Sequence, residues 1–408
     1  MAKKTIKIGL LQGNGSDLVG GGSIQLEYNL WAESQPDIQL TNLLYDEGPS
    51  LFFVQKIVAG RTLNQVQLFN EKSDIEKYFL DFDKLIILTY PFLSAEFSNE
   101  KGVAEFYEKL LTKRKELGLW SGVICYDYKK EVVLNNLGVK YPNLYKLVDV
   151  IWVNNEKNPL IPFLDEVGST STRMIECPQF MNDTKLTWLP VDSKTEEAKA
   201  KNQLYYHGRS LEWKGWEDII PLKSRLADEG LLVNMSFNGI TDKPNTDLPF
   251  KQNADFNGLY ESGGFADEVE KDLNFFGYYS PANADELTKR AMFGVYFTNL
   301  DPRDNFLPEY AFIDFIRNGT VLIVPDWYFD GKLHPLSVDY KLIDKSPKAV
   351  GMLTWNPNSK ESTKELAKMI KKLQADSNLY DKYRKIAFNY MVSSHGANSV
   401  IRKFINTK

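Results

Sequence analysis

The sequence predicts an α/β protein of two doubly wound, Rossmann-like domains that face each other across a cleft. Three observations carry this. Continuous apolar runs alternate with amphipathic helical stretches, the pattern of parallel sheets covered on both faces. The alternation stops in a polar, charged stretch at 190–202 and then begins again. Ligands of open α/β sheets sit beyond the carboxyl ends of the strands, and a glycine-rich or cationic segment follows a strand in each half.

The elements follow in order. Residues 7–11 form a short buried strand, and a loop with Gly13, Gly15, Gly20, Gly21 and Gly22 comes after it. Ile24, Tyr28 and Trp31 recur at helical spacing. A strand at 85–90 stops at Pro91, and a helix at 103–117 puts Phe106, Leu110 and Leu111 on one face. Strands at 122–126 and 148–153 complete the first half. After the linker come a strand at 204–206, a helix at 216–226 interrupted by Pro221, and a strand at 231–235. A strand at 274–279, a helix near 285–292, a strand at 294–297, a helix at 308–317 and a strand at 321–324 follow. The polar stretch 238–270 reads as an excursion. Leu366, Met369, Ile370 and Leu373 mark a helix with a capping box at Ser362 and Glu365. Leu379, Tyr383, Ile386 and Tyr390 mark another. The expected domains are 1–190, on the acceptor side, and 203–385, which binds the nucleotide-sugar. A C-terminal helix at 386–408 is expected to pack back on the first domain.

Bulk composition narrows the function. A chain of 408 residues with 43% hydrophobic and 25% charged residues has material for two cores. A net charge of -5 gives no global basic field for nucleic acid or membrane, so any polyanion site is a local patch. The two cysteines, Cys125 and Cys177, read as buried thiols in a reducing cytoplasm. No run reaches the ~20 apolar residues of a membrane helix. The lysine-bearing N-terminus reads as the start of the first strand, not a signal peptide. No Cys/His spacing suggests zinc.

The chemistry concentrates in Tyr206-His207-Gly208-Arg209, Lys214-Gly215 and Glu309-x4-Asp314. Negative charge builds on a diphosphate as its bond to a sugar breaks, and fixed cations there lower the barrier. Arg209 can grip two phosphate oxygens and Lys214 adds a point charge. Gly208 and Gly215 admit close backbone approach. The two acids suit the hydroxyls of the flanking sugars. Asp314 lies mid-helix among Phe312, Ile313, Phe315 and Ile316, an awkward place for an acid without a partner, and a ribose diol would supply one. The motifs point to a nucleotide-sugar transferase. The bland alternatives are a surface Arg–Lys pair and, for Glu309, an acid favoured in a first helical turn.

Other segments are weaker. The Gly20-Gly21-Gly22-Ser23 loop is neither a P-loop nor a dinucleotide fingerprint, yet its amides could meet a donor sugar or its phosphates. Asp127, just past a strand end, could orient or deprotonate an acceptor hydroxyl, or stand in a solvated turn. Lys113, Arg114, Lys115, Lys129 and Lys130 could form a basic patch for a polyanionic acceptor, or a solvated face. Asp81-x-Asp83 has the form of a metal-binding pair but precedes a strand, and reads as structural.

Together these motifs resemble those of GT-B glycosyltransferases, and most closely the DNA α-glucosyltransferases of T-even bacteriophages. The resemblance runs nearly end to end: the glycine loop with Ile24–Trp31, Asp83–Ile87, Asp127, Gly208-Arg209 with Trp213-Lys214-Gly215, Glu309 to Asp314 with Gly319-Thr320, and Ser377–Tyr383. Two positions depart from it: Asp314 stands where that family usually has Glu, and Tyr126 where it has His. The resemblance implies a GT-B fold and transfer from a UDP-sugar to a hydroxyl of modified cytosine in phage DNA, with retention. Arg209 and Lys214 would hold the leaving diphosphate and Asp127 would help place the acceptor. Gly20, Gly21, Gly22, Ser23, Gly208, Arg209, Lys214, Glu309 and Asp314 would bind the donor.

The expectation is therefore a UDP-sugar-dependent glycosyltransferase moving glucose or a pentose such as arabinose. It carries no tightly bound cofactor and no membrane contact, and acts as a monomer in the cytoplasm. Divalent-metal dependence is open. The same machinery acting on a cell-surface glycan or small molecule is the alternative. A two-domain binding protein without chemistry fits less well, because a plain sugar needs no diphosphate cradle.

Overall fold

The computed structural model describes residues 5–12, 20–45, 57–58, 61–62, 65–88, 99–125, 133, 137–154, 156, 158–176, 180–182, 188–192, 198–209, 216–219, 221–240, 274–278, 287–297, 310–329 and 347–408. The chain divides into two compact units. One is Met1–Thr184 with His395–Lys408, and the other is Lys185–Ser394.

The first unit is built on a seven-stranded parallel sheet. Its strands are β1 (Ile6–Gln12), β2 (Ile38–Tyr45), β5 (Val66–Phe69), β6 (Lys84–Leu88), β7 (Trp120–Cys125), β8 (Val150–Val153) and β9 (Thr172–Ile175). A two-strand antiparallel pair, β3 (Ile57–Val58) and β4 (Arg61–Thr62), stands apart from it. The spatial order β5-β2-β1-β6-β7-β8-β9 reverses direction at β1, so the switch point lies between β1 and β6. One core packs Leu11, Leu43, Ile87, Val123 and Ile151 against Phe106, Tyr107, Leu110 and Leu111 of the Glu100–Glu116 helix. The last helix, Ala397–Asn406, belongs to this unit and sets Phe404 against Trp120 and Trp152.

The second unit repeats the plan with six strands: β10 (Ala200–Arg209), β11 (Asn234–Ile240), β12 (Asn274–Tyr278), β13 (Ala291–Val295), β14 (Val321–Pro325) and β15 (Leu353–Trp355). Every pair is parallel, and the order β12-β11-β10-β13-β14-β15 puts the switch point between β10 and β13. The Lys360–Ala375 and Ser377–His395 helices lay Leu366, Ile370, Leu373, Tyr380 and Tyr383 into its core.

Several elements differ from the sequence expectation. β10 begins at Ala200, inside the stretch read as linker, and Lys199 beside it is buried. β11 starts at Asn234 rather than Leu231 and runs to Ile240, into the stretch read as an excursion. Ala291 and Met292 belong to β13, not to the preceding helix; both are fully buried, as a central strand requires. The Lys360–Ala375 helix is capped by Ser359, whose side chain accepts from the Ser362 amide. Ser362 Oγ instead accepts from the Asn356 amide. Asn42 had hidden β2, because it breaks the alternation that Ile38, Gln39, Leu40 and Thr41 begin. Cys125 is buried, as expected, and Cys177 lies outside the described residues.

Candidate functional site

Gly208 and Arg209 close β10, the strand at which the second sheet reverses. The described pairing of β10 with β13 ends at Tyr205↔Gly294, while pairing with β11 continues through Gly208↔Gly239 to Arg209↔Ile240. Two glycines therefore stand side by side across β10 and β11. A ligand can approach the backbone there without meeting a Cβ. This is the edge where open α/β sheets bind ligands. Lys214 and Gly215 lie outside the described residues.

The Tyr310–Arg317 helix lies over the same switch point. Phe315 packs edge-on to Tyr205 at 5.9 Å, and a Cβ on Gly294 would stand 2.4 Å from the Phe315 ring. Gly294 thus lets the helix sit close on the sheet. Phe312 meets Tyr296 at 5.3 Å on the same face. Residues 312–316 are all buried, Asp314 among them at 7% exposure, while Ala311 and Arg317 at the helix ends are half-buried. Its Oδ1 accepts from Arg317 Nη2 at 2.5 Å. A protein cation one turn on therefore accounts for the buried acid, and burial by itself does not call for a ribose. Glu309 lies outside the described residues, and the described helix begins one residue after it.

Below this helix a polar cluster ties the strand starts together. Lys199 Nζ donates to the carbonyls of Thr288 (3.4 Å), Lys289 (2.7 Å) and Ala291 (3.1 Å) and to Thr320 Oγ1 (3.0 Å). Asn318 Nδ2 donates to Asp314 O at 3.0 Å and to Thr288 Oγ1 at 2.8 Å. The lysine joins the entry of β10 to the entries of β13 and β14, and so sets the strand that ends in Arg209. Sequence reading missed this cluster, because Lys199 stands in a run of charges.

In the first unit Gly20, Gly21 and Gly22 are not a loop. They form the first turn of the Gly20–Glu33 helix, with Ser23 next. The first four amides of any helix lack intrahelical acceptors, and three glycines add no side chain beside them. The helix is anchored to β2 by a buried amide network: Gln25 Nε2 donates to Asn42 Oδ1 at 3.0 Å, Asn29 Nδ2 donates to the same oxygen at 3.0 Å, and Asn42 Nδ2 donates to Asn29 Oδ1 at 2.9 Å. Gln25 and Asn29 lie four apart on one face, a signal the apolar pattern of Ile24, Tyr28 and Trp31 obscured.

Of the five cations that could form a basic patch or a solvated face, Arg114 does neither. Arg114 is fully buried; its guanidinium donates to the carbonyls of Phe79, Phe82 and Trp120, and its Nε to Ser121 Oγ. Burial pulls its pKa down to about 10, with Asp149 and Asp83 pulling it back. Lys113 pairs with Glu76 at 3.5 Å and Lys115 Nζ donates to Lys146 O at 2.8 Å. Asp127, Lys129 and Lys130 lie outside the described residues. Asp81 and Asp83 are structural: Lys7 Nζ bridges to Asp81 at 2.8 Å, and the Lys7 amide donates to Asp83 Oδ2 at 2.9 Å. Among the described residues no group of three or more His, Cys, Asp or Glu could hold a metal ion, and no helix is long and apolar enough to cross a membrane.

No protein-family model and no curated protein matches this sequence. Solved structures do. An α-glucosyltransferase in complex with UDP and a 13-mer DNA containing an HMU base matches at a TM-score of 0.74 and 17% identity, over 99% of both chains. An α-glucosyltransferase with UDP-glucose and DNA containing an abasic site matches at 0.72 and 18% identity, over 98% of both. Sucrose-phosphate synthase from Thermosynechococcus elongatus matches at 0.56 and 12% identity, over 98% of this chain and 97% of that one. The fold is GT-B, with two Rossmann-like α/β units, and the resemblance to α-glucosyltransferases seen in the sequence holds in the fold.

Proposed function

We propose that this chain is a UDP-sugar-dependent glycosyltransferase that modifies DNA. In the finer reading, it moves glucose or a pentose such as arabinose to the hydroxyl of hydroxymethyl- or hydroxycytosine in phage DNA, with retention. The observation that carries the proposal is the match, along nearly the whole chain, to α-glucosyltransferases solved with UDP or UDP-glucose and DNA. The Gly208-Arg209 end of β10 at a switch point supports it.

Arg209 and Lys214 would hold the diphosphate as charge develops on it. Glu309 and Asp314 would accept from sugar hydroxyls, and the amides of the Gly20–Gly22 turn, with Ser23, would meet the donor. Asp127 would orient the acceptor hydroxyl. As the new glycosidic bond forms on the face the diphosphate leaves, the acceptor proton passes to a diphosphate oxygen. A base inside a duplex must be flipped out to be reached. The protein would act as a monomer in the host cytoplasm, with UDP-sugar as co-substrate.

One observation favours the second reading, a cell-surface glycan or small-molecule acceptor. Burial of Arg114 removes one of the five cations that could form a patch for a polyanionic acceptor, in a chain of net charge -5. Mass spectrometry of hydroxymethylcytosine-containing DNA incubated with the protein and a panel of UDP-sugars decides between them. Added hexose or pentose mass supports the first reading. Unmodified DNA, with UDP released only when glycan acceptors are supplied, refutes it.

A further inference from the structure

We infer that the outer face of the Lys360–Ala375 helix is a docking surface for the phosphate backbone of duplex DNA. This rests on the reading of DNA as acceptor. Lys360, Lys364, Lys368 and Lys372 recur every four residues, and all four are exposed. At about 1.5 Å per residue they make a stripe about 18 Å long. The phosphates of one strand advance about 3.4 Å per step, so the stripe spans about five of them. A chain of net charge -5 meets a polyanion only through such a local patch. The lysines also stand where the helix alone gains nothing from them. Like charges four residues apart repel, and the stripe holds three such pairs in succession. Lys360 lies in the first turn, the positive end of the helix dipole. A row of phosphates relieves both.

The acids of this helix do little to neutralise the stripe. Glu361 pairs with Lys364 at 3.6 Å and Glu365 with Lys368 at 3.5 Å, and each of these side chains is more than half exposed. Pairs of this kind are weak and open readily to a partner. The remaining lysine, Lys371, is engaged elsewhere, donating to Glu229 O at 2.9 Å. The stripe also begins at the relevant edge of the sheet. β15 runs parallel to the other strands of the second unit, and Ser359 caps the helix just beyond its carboxyl end. Lys360 therefore stands at the edge where β10 ends in Gly208-Arg209. Three strand spacings separate β15 from β10, about 14 Å. That is about four base-pair steps, within the duplex that flanks a target base.

The test is the salt dependence of binding to an unmodified DNA duplex, read by fluorescence anisotropy on the full chain. One variant replaces Lys360, Lys364, Lys368 and Lys372 by Gln. A control replaces Lys72, Lys77, Lys101 and Lys109, four exposed lysines of the first unit, and so loses the same charge. Each phosphate neutralised contributes about 0.9 to the slope of log K against log salt, so the stripe variant should lose about 3.6 from it. Between about 50 and 200 mM salt the wild type then loses roughly 150-fold more affinity than the stripe variant. The control should keep the wild-type slope. A stripe variant with the wild-type slope, or a control that loses as much, overturns the inference and leaves the DNA reading standing. Calorimetry with UDP checks that the stripe variant is folded. If it is not, the pair Lys360→Gln and Lys364→Gln decides, with an expected loss of about 1.8. A wild type that binds no duplex even at low salt overturns the inference together with the DNA reading, and is distinct from every other outcome.

Discussion

Lys199→Met tests how the second unit sets the strand that ends in Arg209. The lysine ammonium meets three carbonyl oxygens and one hydroxyl oxygen, three of them within 3.1 Å. Burial pushes its pKa well below the usual lysine range, and the Arg384 charge adds to this. Methionine keeps the length of the side chain and removes the donor. Hydrogen bonds to a charged group contribute about 1.5–3 kcal/mol each, and the penalty of burying the charge, several kcal/mol, disappears with it. The carbonyls left behind keep their own desolvation cost, because Thr320 Oγ1 has one proton to share between Thr288 O and Ala291 O. The balance is a loss of about 3 kcal/mol. For a unit of this size that is a fall of roughly 6–12 °C in Tm. Scanning calorimetry measures the fall, and hydrogen exchange at the Leu204, Tyr205 and Tyr206 amides assigns it to β10. A change under about 1 kcal/mol, with unaltered exchange, would refute the reasoning and show that the four contacts only offset the cost of burying the lysine.

Three other outcomes are expected. Arg209→Ala should lower turnover at least ~100-fold in a UDP-release assay, the scale of one lost charge-stabilising donor, and near-normal turnover removes Arg209 from the mechanism. Gly319→Ala places a Cβ in the left-handed region and against Trp188, and should cost about 2 kcal/mol with a shift in tryptophan emission; an unchanged melting curve contradicts the contact. The Tyr45 hydroxyl donates to Glu71 at 2.6 Å and holds its carboxyl below the ordinary value of 4.5. This stability is present above about pH 4.5 and is lost as pH falls through the lower folded-state value. Tyr45→Phe should flatten the decline in stability over that window, and an identical pH profile in the variant speaks against the bond.

Much of the sheet framework was legible because its signal is local. A run such as Leu85-Ile86-Ile87-Leu88 cannot be placed at the surface, and in fact all four residues are buried. Gly208-Arg209 at a strand end was equally readable, since strand and glycine are neighbours in the chain. β2 was missed because Asn42, an amide, fills a central position, where it is bonded by Gln25 and Asn29.

The order of strands and helices, and the residues at their ends, are thus written in the chain itself. The fate of individual charges is not. Lys199 and Arg114 both looked like solvated cations, and both are buried. The oxygens that make burial tolerable for Lys199 come from 89 to 121 residues away. Two of the carbonyls on Arg114 come from Phe79 and Phe82, 35 and 32 residues back. A charge can leave water only where such acceptors converge, and that convergence exists only once the chain has folded.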